Sequence, residues 1–254
     1  MKDFTSLNKK KLIGLISTLF LLLLWKLISV KIDAVIILPA PEDVIIRLGQ
    51  IALSKNFWMA IANTTVRTLY GFILSFCAGF IAGIACGSSS RINAALSPLI
   101  SVIRTIPVMS VILIAMIWFK TDMVPVFVCF LMIFPIITAN VSQGISEVDK
   151  SLIDMASAFK LSKFNTLLHI SIPSTIPFVL AGVRAAVGVA WKSVIAAEVL
   201  SQPVRAIGTG IQFSQMNLET AEVMAWTVIA IILSKISESS VELLIKSRKW
   251  KLAK

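Results

Sequence analysis

The chain has 254 residues, of which 57% are hydrophobic and only 15% charged, and its mean hydropathy is +0.90. Charge this sparse excludes an ordinary soluble domain, where about a quarter of residues are charged, and indicates an all-α polytopic membrane protein. The net charge of +11 does not call for nucleic acid, because the basic residues gather at the two chain ends, the pattern of termini held on the cytoplasmic side.

Six membrane spans are predicted, at about 12–30, 68–88, 102–119, 124–144, 177–199 and 221–240. Before the first stand Lys9, Lys10 and Lys11. Lys26 interrupts the apolar run and no small-residue cleavage site follows, which favours an uncleaved span over a signal peptide. Lys26 itself is expected to snorkel or to face other helices. The external segment from Lys31 to Arg67 contains "LPAPEDVIIRL", whose prolines and acidic first turn predict an amphipathic surface helix.

The second span carries Gly71, Ser75, Gly79, Gly83 and Gly87, a stripe almost without side chains. Such a stripe lets helix backbones approach closely in lipid; it serves either fixed packing within the chain or a face that slides during a conformational change. The third span reaches full length only by including Val102 and Ile103 beyond Arg104. Cys77, Cys86 and Cys129 fall inside apolar runs and read as small buried hydrophobes, not as disulfides or metal ligands.

After the fourth span the 145–175 segment turns polar and is placed in the cytoplasm. Leu152, Met155, Ala156 and Phe159 share one helical face, Lys160–Ser162 breaks it, and Phe164, Leu167, Leu168 and Ser171 begin another. Pro173 and Pro177 are expected to stop the second helix and restart the chain as a span. Each short helix thus has an apolar face that needs a partner, either lipid surface or another protein.

Charges inside spans are costly and mark function or pairing. Arg104, Arg184, Lys192 and Glu198 are the candidates. Lys192 shares a face with Ala181, Ala185 and Gly188, so it is expected to point toward other helices, lining a path for an anion or pairing with an acid such as Glu198. Lys235, Glu238, Glu242 and Lys246 make a salt-bridge face on the last helix. The single histidine, His169, reads as an exposed or packing residue. No GxxxxGK[ST] loop, HExxH pair or Ser/His/Asp set occurs, so ATP hydrolysis by this chain is not expected.

The loop carries a resemblance. Asp154-Met155-Ala156, then Lys160, then Ile170-Ser171-Ile172-Pro173 match the spacing of the E-A-A…G…I-x-L-P loop of permease subunits of binding-protein-dependent ABC importers, the MetI-like type I family. The departures are Asp for Glu, Met for Ala, Lys160 for Gly and Ile172 for Leu. Lys160 stands where glycine would supply a positive φ at little cost. "SPLISVIRTIP" and "LAGVRAAVGVAWKSVIAAEVL" resemble the third-span entry and fifth span of the sulfonate, taurine and nitrate branch, while "SQPVRAIGTG" departs from its common form.

The resemblance implies a six-helix permease fold in a bacterial inner membrane. It divides the chain into an N-terminal part (1–57), a permease domain (58–245) and a basic cytoplasmic tail (246–254). It makes residues 145–175 the coupling loop, with Asp154 facing a basic residue of a cytoplasmic ATPase subunit and Met155, Ala156, Phe159, Lys160, Leu167, Ile170 and Pro173 forming the docking element. It implies a second permease copy, an extracytoplasmic substrate-binding protein, and ATP and Mg used by the ATPase, with no cofactor or metal on this chain. A secondary transporter, which would need its own ion-coupling residues, and a membrane-embedded enzyme are the weaker alternatives.

Overall fold

The computed structural model describes the backbone of residues 2–252 and the side chains of 12–14, 16–243 and 245. Every regular element among them is helical: α1 Lys2–Ile32, α2 Pro41–Ala52, α3 Lys55–Ser88, α4 Ser90–Thr105, α5 Val108–Trp118, α6 Val124–Ser146, α7 Lys150–Ala158, α8 Lys163–Thr166, a π turn Leu167–Ser171, α9 Ile172–Ser201, α10 Ile207–Met216 and α11 Thr220–Leu252. Five stretches are long and apolar enough to cross a bilayer, and α4 with α5 forms a broken sixth. The side chains of Lys9, Lys10, Lys11, Lys246, Arg248, Lys249, Lys251 and Lys254, which carry the basic-ends reading, lie outside the described residues.

The bundle is built on α6. A Cβ added at Gly71 would lie 2.7 Å from the Cβ of Cys129, at Gly79 2.9 Å from that of Ile137, at Gly83 2.5 Å from that of Val141, and at Gly87 2.6 Å from that of Ile145. The partners advance together along both helices, so α3 and α6 run parallel with their backbones nearly touching. Between them Ser75 Oγ donates to the Phe130 carbonyl at 3.1 Å. On its other side α6 meets α9 in antiparallel sense, Gly144 against Thr175 and Phe178, Gly182 against Asn140. The seam is filled by Cys129, Ile133, Ile137, Val141, Ala186, Ala190 and Val194, each at most 1% exposed.

Several boundaries differ from the sequence reading. Helix α3 begins at Lys55, well before the expected 68, so the last part of the segment read as external, Arg67 included, is helical. The third span is not continuous: α4 and α5 are bent by 99° at Ile106–Pro107, because proline lacks the N–H and its ring clashes with the preceding turn. Pro173 and Pro177 do not stop the chain. Pro173 sits in the first turn of α9 and Pro177 inside it, and helix continues from Lys163 to Ser201. The π turn ahead of Pro173, closed by Ile172 N–H to Leu167 O, widens the helix where the proline ring enters. The segment between the fifth and sixth predicted spans contains α10, Ile207–Met216. Cys86 and Cys129 are buried as expected, but Cys77 is exposed.

The first helix meets the rest through α2. Trp25 Nε1 donates to the Pro39 carbonyl at 3.0 Å and Ser29 Oγ to that of Leu38 at 2.8 Å. Lys26, expected to snorkel or face other helices, pairs with Glu42 of α2. Helix α2 is then clamped to α11: Arg47 Nε donates to Glu222 at 2.8 Å and Arg47 NH2 to Glu219 at 2.5 Å. The Arg47 hydrogen bond holds the Glu219 carboxyl below its usual range, and Glu219 raises the guanidinium in turn.

Two outcomes follow from this packing. Gly83→Leu drives a side chain into Val141 and should cost at least ~1–3 kcal/mol, lowering the melting temperature of the purified protein, whereas Ile81→Ala, at a 69% exposed position, should leave it unchanged. A carboxylate whose folded pKa is depressed adds stability that is complete above its unfolded value of about 4.3 and fades as pH falls through the folded value. Spin labels at Leu53→Cys and Met216→Cys should therefore give one narrow distance at neutral pH and a broad one in acid below that range. Arg47→Gln should give the broad distribution at every pH.

Candidate functional site

The loop joining α6 to α9 is shaped by three local devices. Asp149 caps α7, its carboxylate accepting from Ser151 N–H at 2.8 Å, a bond that lowers its pKa. Helix α7 closes with Leu161 N–H to Ala156 O and Lys160 N–H to Ser157 O, both 2.9 Å, the paired bonds of a Schellman ending. That ending needs a left-handed residue, and Lys160 supplies it at φ 54°, at a cost of about 1–2 kcal/mol that glycine would avoid. Ser162 then caps α8 by accepting from Asn165 N–H at 3.2 Å.

Only Ala156 of α7 is buried, at 1% exposure. Asp154 and Lys160 are exposed, as are Leu152, Met155 and, at 75%, Phe159. Leu161, Phe164 and Leu168 extend the same uncovered apolar surface. Leu167 and Ile170 are half-buried, Pro173 and His169 exposed. Among the described residues nothing covers Met155 and Phe159, and a cluster of exposed large apolar side chains on a loop marks an interaction surface.

The membrane charges divide into one paired group and three solitary ones. Glu198 is fully buried and accepts from Thr64 Oγ1 at 3.0 Å, Arg67 NH1 at 3.1 Å and Gly208 N–H at 3.1 Å. Arg67 also donates to Asp122 at 2.6 Å. Gly208 permits the approach, since a Cβ there would lie 2.4 Å from the Cβ of Glu198. This cluster ties α3, α9, α10 and the turn before α6 together at the end of the bundle away from α7. The pairing of Lys192 with Glu198 does not form; the partner is Arg67. Sequence reasoning missed Arg67, Thr64 and Asp122, although Ala60, Thr64 and Thr68 continue the small-residue stripe back past Arg67 and so carry the helix with them.

Lys192 lines a cavity of about 550 Å³ between α9, α10 and α11, together with Trp191, Lys235 and Glu238. It is exposed, as are Ala181 and Ala185 on its face, while a Cβ added at Gly188 on that face would lie 3.0 Å from Glu238 Oε1 of α11, so the face meets α11 at one end and is uncovered at the other. Of the expected salt-bridge face, Lys235 and Glu238 approach at 3.4 Å, and the Lys246 side chain lies outside the described residues. Arg184 is exposed. Arg104 lines a cavity between α4 and α6. Arg104, Arg184 and Lys192 make no ion pair among the described residues.

Comparison with known proteins locates the chain. Residues 75–250 match the family model described as "Binding-protein-dependent transport system inner membrane component". The chain is 30% identical to the putative aliphatic sulfonates transport permease protein SsuC of Escherichia coli (strain K12) over 220 residues, 84% of this chain and 81% of that protein. It is 37% identical to the nitrate import permease protein NrtB of Synechococcus elongatus over 149 residues, 58% of this chain and 53% of that one, so the match spans about half of that relative. It is 27% identical to the taurine transport system permease protein TauC of Escherichia coli (strain K12), covering 82% of this chain and 78% of that protein. Among solved structures, a chain of the inward-facing MetNI methionine ABC transporter superposes with a TM-score of 0.58 at 14% identity, covering 75% of this chain and 93% of that one.

The buried cluster yields a direct test. Arg67→Leu strands the Glu198 carboxylate, which should cost about 3–5 kcal/mol and be read as a large fall in the melting temperature of the purified protein. Glu198→Gln, which keeps acceptor and shape, should cost less than Arg67→Leu.

Proposed function

The chain belongs to the binding-protein-dependent transport system inner membrane component family, the MetI-like permeases, and from that premise we propose that it is the membrane-spanning half of an ATP-driven importer of a small anionic or organic solute. The observation that carries this is the uncovered apolar face of Met155 and Phe159 on α7, held rigid by Asp149, the Lys160 turn and Ser162. A stiff projection with an unfilled apolar face suits docking into a cleft of another protein better than lying on lipid, because its exposed residues include the charged Asp154 and Lys160.

In this reading α7 and the turn after it form the coupling element, with Ala156, Leu167, Ile170 and Pro173 joining it to the bundle. Asp154 faces a basic residue of a cytoplasmic ATPase subunit, which hydrolyses ATP with Mg. A second copy of this chain completes the pore, and both termini lie with the loop in the cytoplasm. A substrate-binding protein delivers the solute from outside. Nitrate and aliphatic-sulfonate permeases among the relatives favour an anion, and Arg104, Arg184 and Lys192, without an ion pair among the described residues, offer it positive charge along the membrane.

The test is at the loop. Asp154→Lys sets like charges together, and losing one member of a desolvated charge pair typically costs about 2–5 kcal/mol, so co-purification with the ATPase should fall at least tenfold. Phe159→Ala should weaken it further by removing apolar contact. Both variants should still insert, since neither lies in a span. Wild-type co-purification and substrate-stimulated ATPase activity in the double variant would overturn the importer reading.

A further inference from the structure

Helix α4 buries none of its residues, yet it is amphipathic, and Asn93, Ser97, Ser101 and Arg104 recur along it at helical spacing. Across from them, the last third of α6 presents Thr138 and Ser142 in a stretch otherwise apolar enough to span a bilayer. These six side chains line one cavity of about 330 Å³. Thr138 is satisfied by the Phe134 carbonyl at 2.8 Å. The side chains of Asn93, Ser97, Ser101, Arg104 and Ser142 find no hydrogen-bond or ionic partner among the described residues. No carboxylate lines the cavity; Glu147, just beyond it, is engaged by Gln143 Nε2 at 2.8 Å.

Polar groups within a membrane span are placed at a cost and are otherwise satisfied by one another. Here they line, unsatisfied, one cavity that holds a single guanidinium, which favours planar or tetrahedral oxyanions through its fork of donors. We propose that the α4–α6 cleft is an oxyanion site within each chain, in which Arg104 takes the charge and the free hydroxyls of the lining nearest to it hydrogen-bond the remaining oxygens. The ligand is the oxyanion head of a small solute or of an anionic lipid. The cleft lies at the bundle end that carries α7, so, resting on the importer reading for its side, it would open to the cytoplasm and hold the solute at its exit.

The site can be read without transport or ATPase. The full chain carrying Cys77→Ser, Cys86→Ala and Ser97→Cys is placed in nanodiscs and treated with methanethiosulfonate reagents of opposite charge, ethylsulfonate and ethyltrimethylammonium. A local cation raises encounter with an anion on the order of tenfold or more, so ethylsulfonate should label faster than the cationic reagent by about that factor. Arg104→Gln should remove the preference and Arg104→Lys keep it, while Leu99→Cys, an exposed position absent from the cavity lining, should show none. With phosphatidylcholine discs and chloride-matched ionic strength, sulfate or methanesulfonate in the tens of millimolar should slow labelling if the ligand is a soluble anion. Slowing only when phosphatidylglycerol is present would assign the headgroup as the oxyanion. Equal labelling by both reagents, with no protection in either arm, would overturn the proposal. Because nanodiscs expose both faces, a failure of the loop to bind an ATPase would not alter this result, and the two readings fail separately.

Discussion

The contact on which the structure depends is the near-touching of α3 and α6 along Gly71, Gly79, Gly83 and Gly87. In lipid no hydrophobic drive presses two apolar helices together, so what holds them is dispersion between closely fitted surfaces and the few polar bonds that close approach allows. Four glycines supply the closeness, and Ser75 uses it to reach a carbonyl of the facing helix. Parallel helices cannot be joined by a short turn, so the chain returns through α4 and α5 before α6 begins. The broken geometry of that return is possible because α3 and α6 already hold each other and α4 need not be packed on all sides.

A bundle held by close fit can bury a charge, because the donors that satisfy it do not drift. Glu198 illustrates this. A carboxylate taken out of water costs several kcal/mol, and here two donors come from α3 and a third from the first turn of α10. The contact that brings α10 close enough is again a glycine, Gly208. The same logic at the opposite end leaves the α4 side of the cavity open, where polar side chains stand without partners.

Much of this was legible in the residues. Charge-free runs located α6 closely, prolines followed by amphipathic spacing marked α2, and the small-residue stripe marked the face of α3 that packs. The misreadings have a common physical cause. Proline was treated as a rule about sequence, whereas its effect depends on the turn it enters: the helix breaks at Pro107, while Pro98, Pro135 and Pro177 sit inside helices and Pro173 follows a π turn. The pairing of Arg67 was missed because its partners Glu198 and Asp122 lie far away in sequence. The face at Lys192 is covered only in part, by α11 at Gly188, since a small-residue face predicts a neighbour without saying how far along the face it reaches. In the loop, glycine's usual place is taken by Lys160, and the positive φ is retained all the same, because the two Schellman bonds fix the backbone more strongly than the side chain disfavours it.

The continuity of Lys163–Ser201 has a mechanical consequence. At about 1.5 Å per residue, 39 residues of helix make a rod of roughly 58 Å, running from the exposed loop to the buried Glu198. The rod rests on α6 from Gly144 against Thr175 and Phe178, through Gly182 against Asn140, to Ala186, Ala190 and Val194 in the shared core, so it is supported along most of its length. The π turn at Leu167–Ser171 is the joint at which a push on α7 or α8 can bend the helix instead of tilting it. If the rod tilts, its far end moves further than its near end, and Glu198 cannot move alone: a shift of a bond length or two would strip it of Thr64, Arg67 and Gly208 together. Graded sliding would leave a buried charge without its donors at every intermediate position. The far end therefore either stays fixed while the π turn flexes, or travels as a unit with the first turn of α10 and the Arg67 segment of α3.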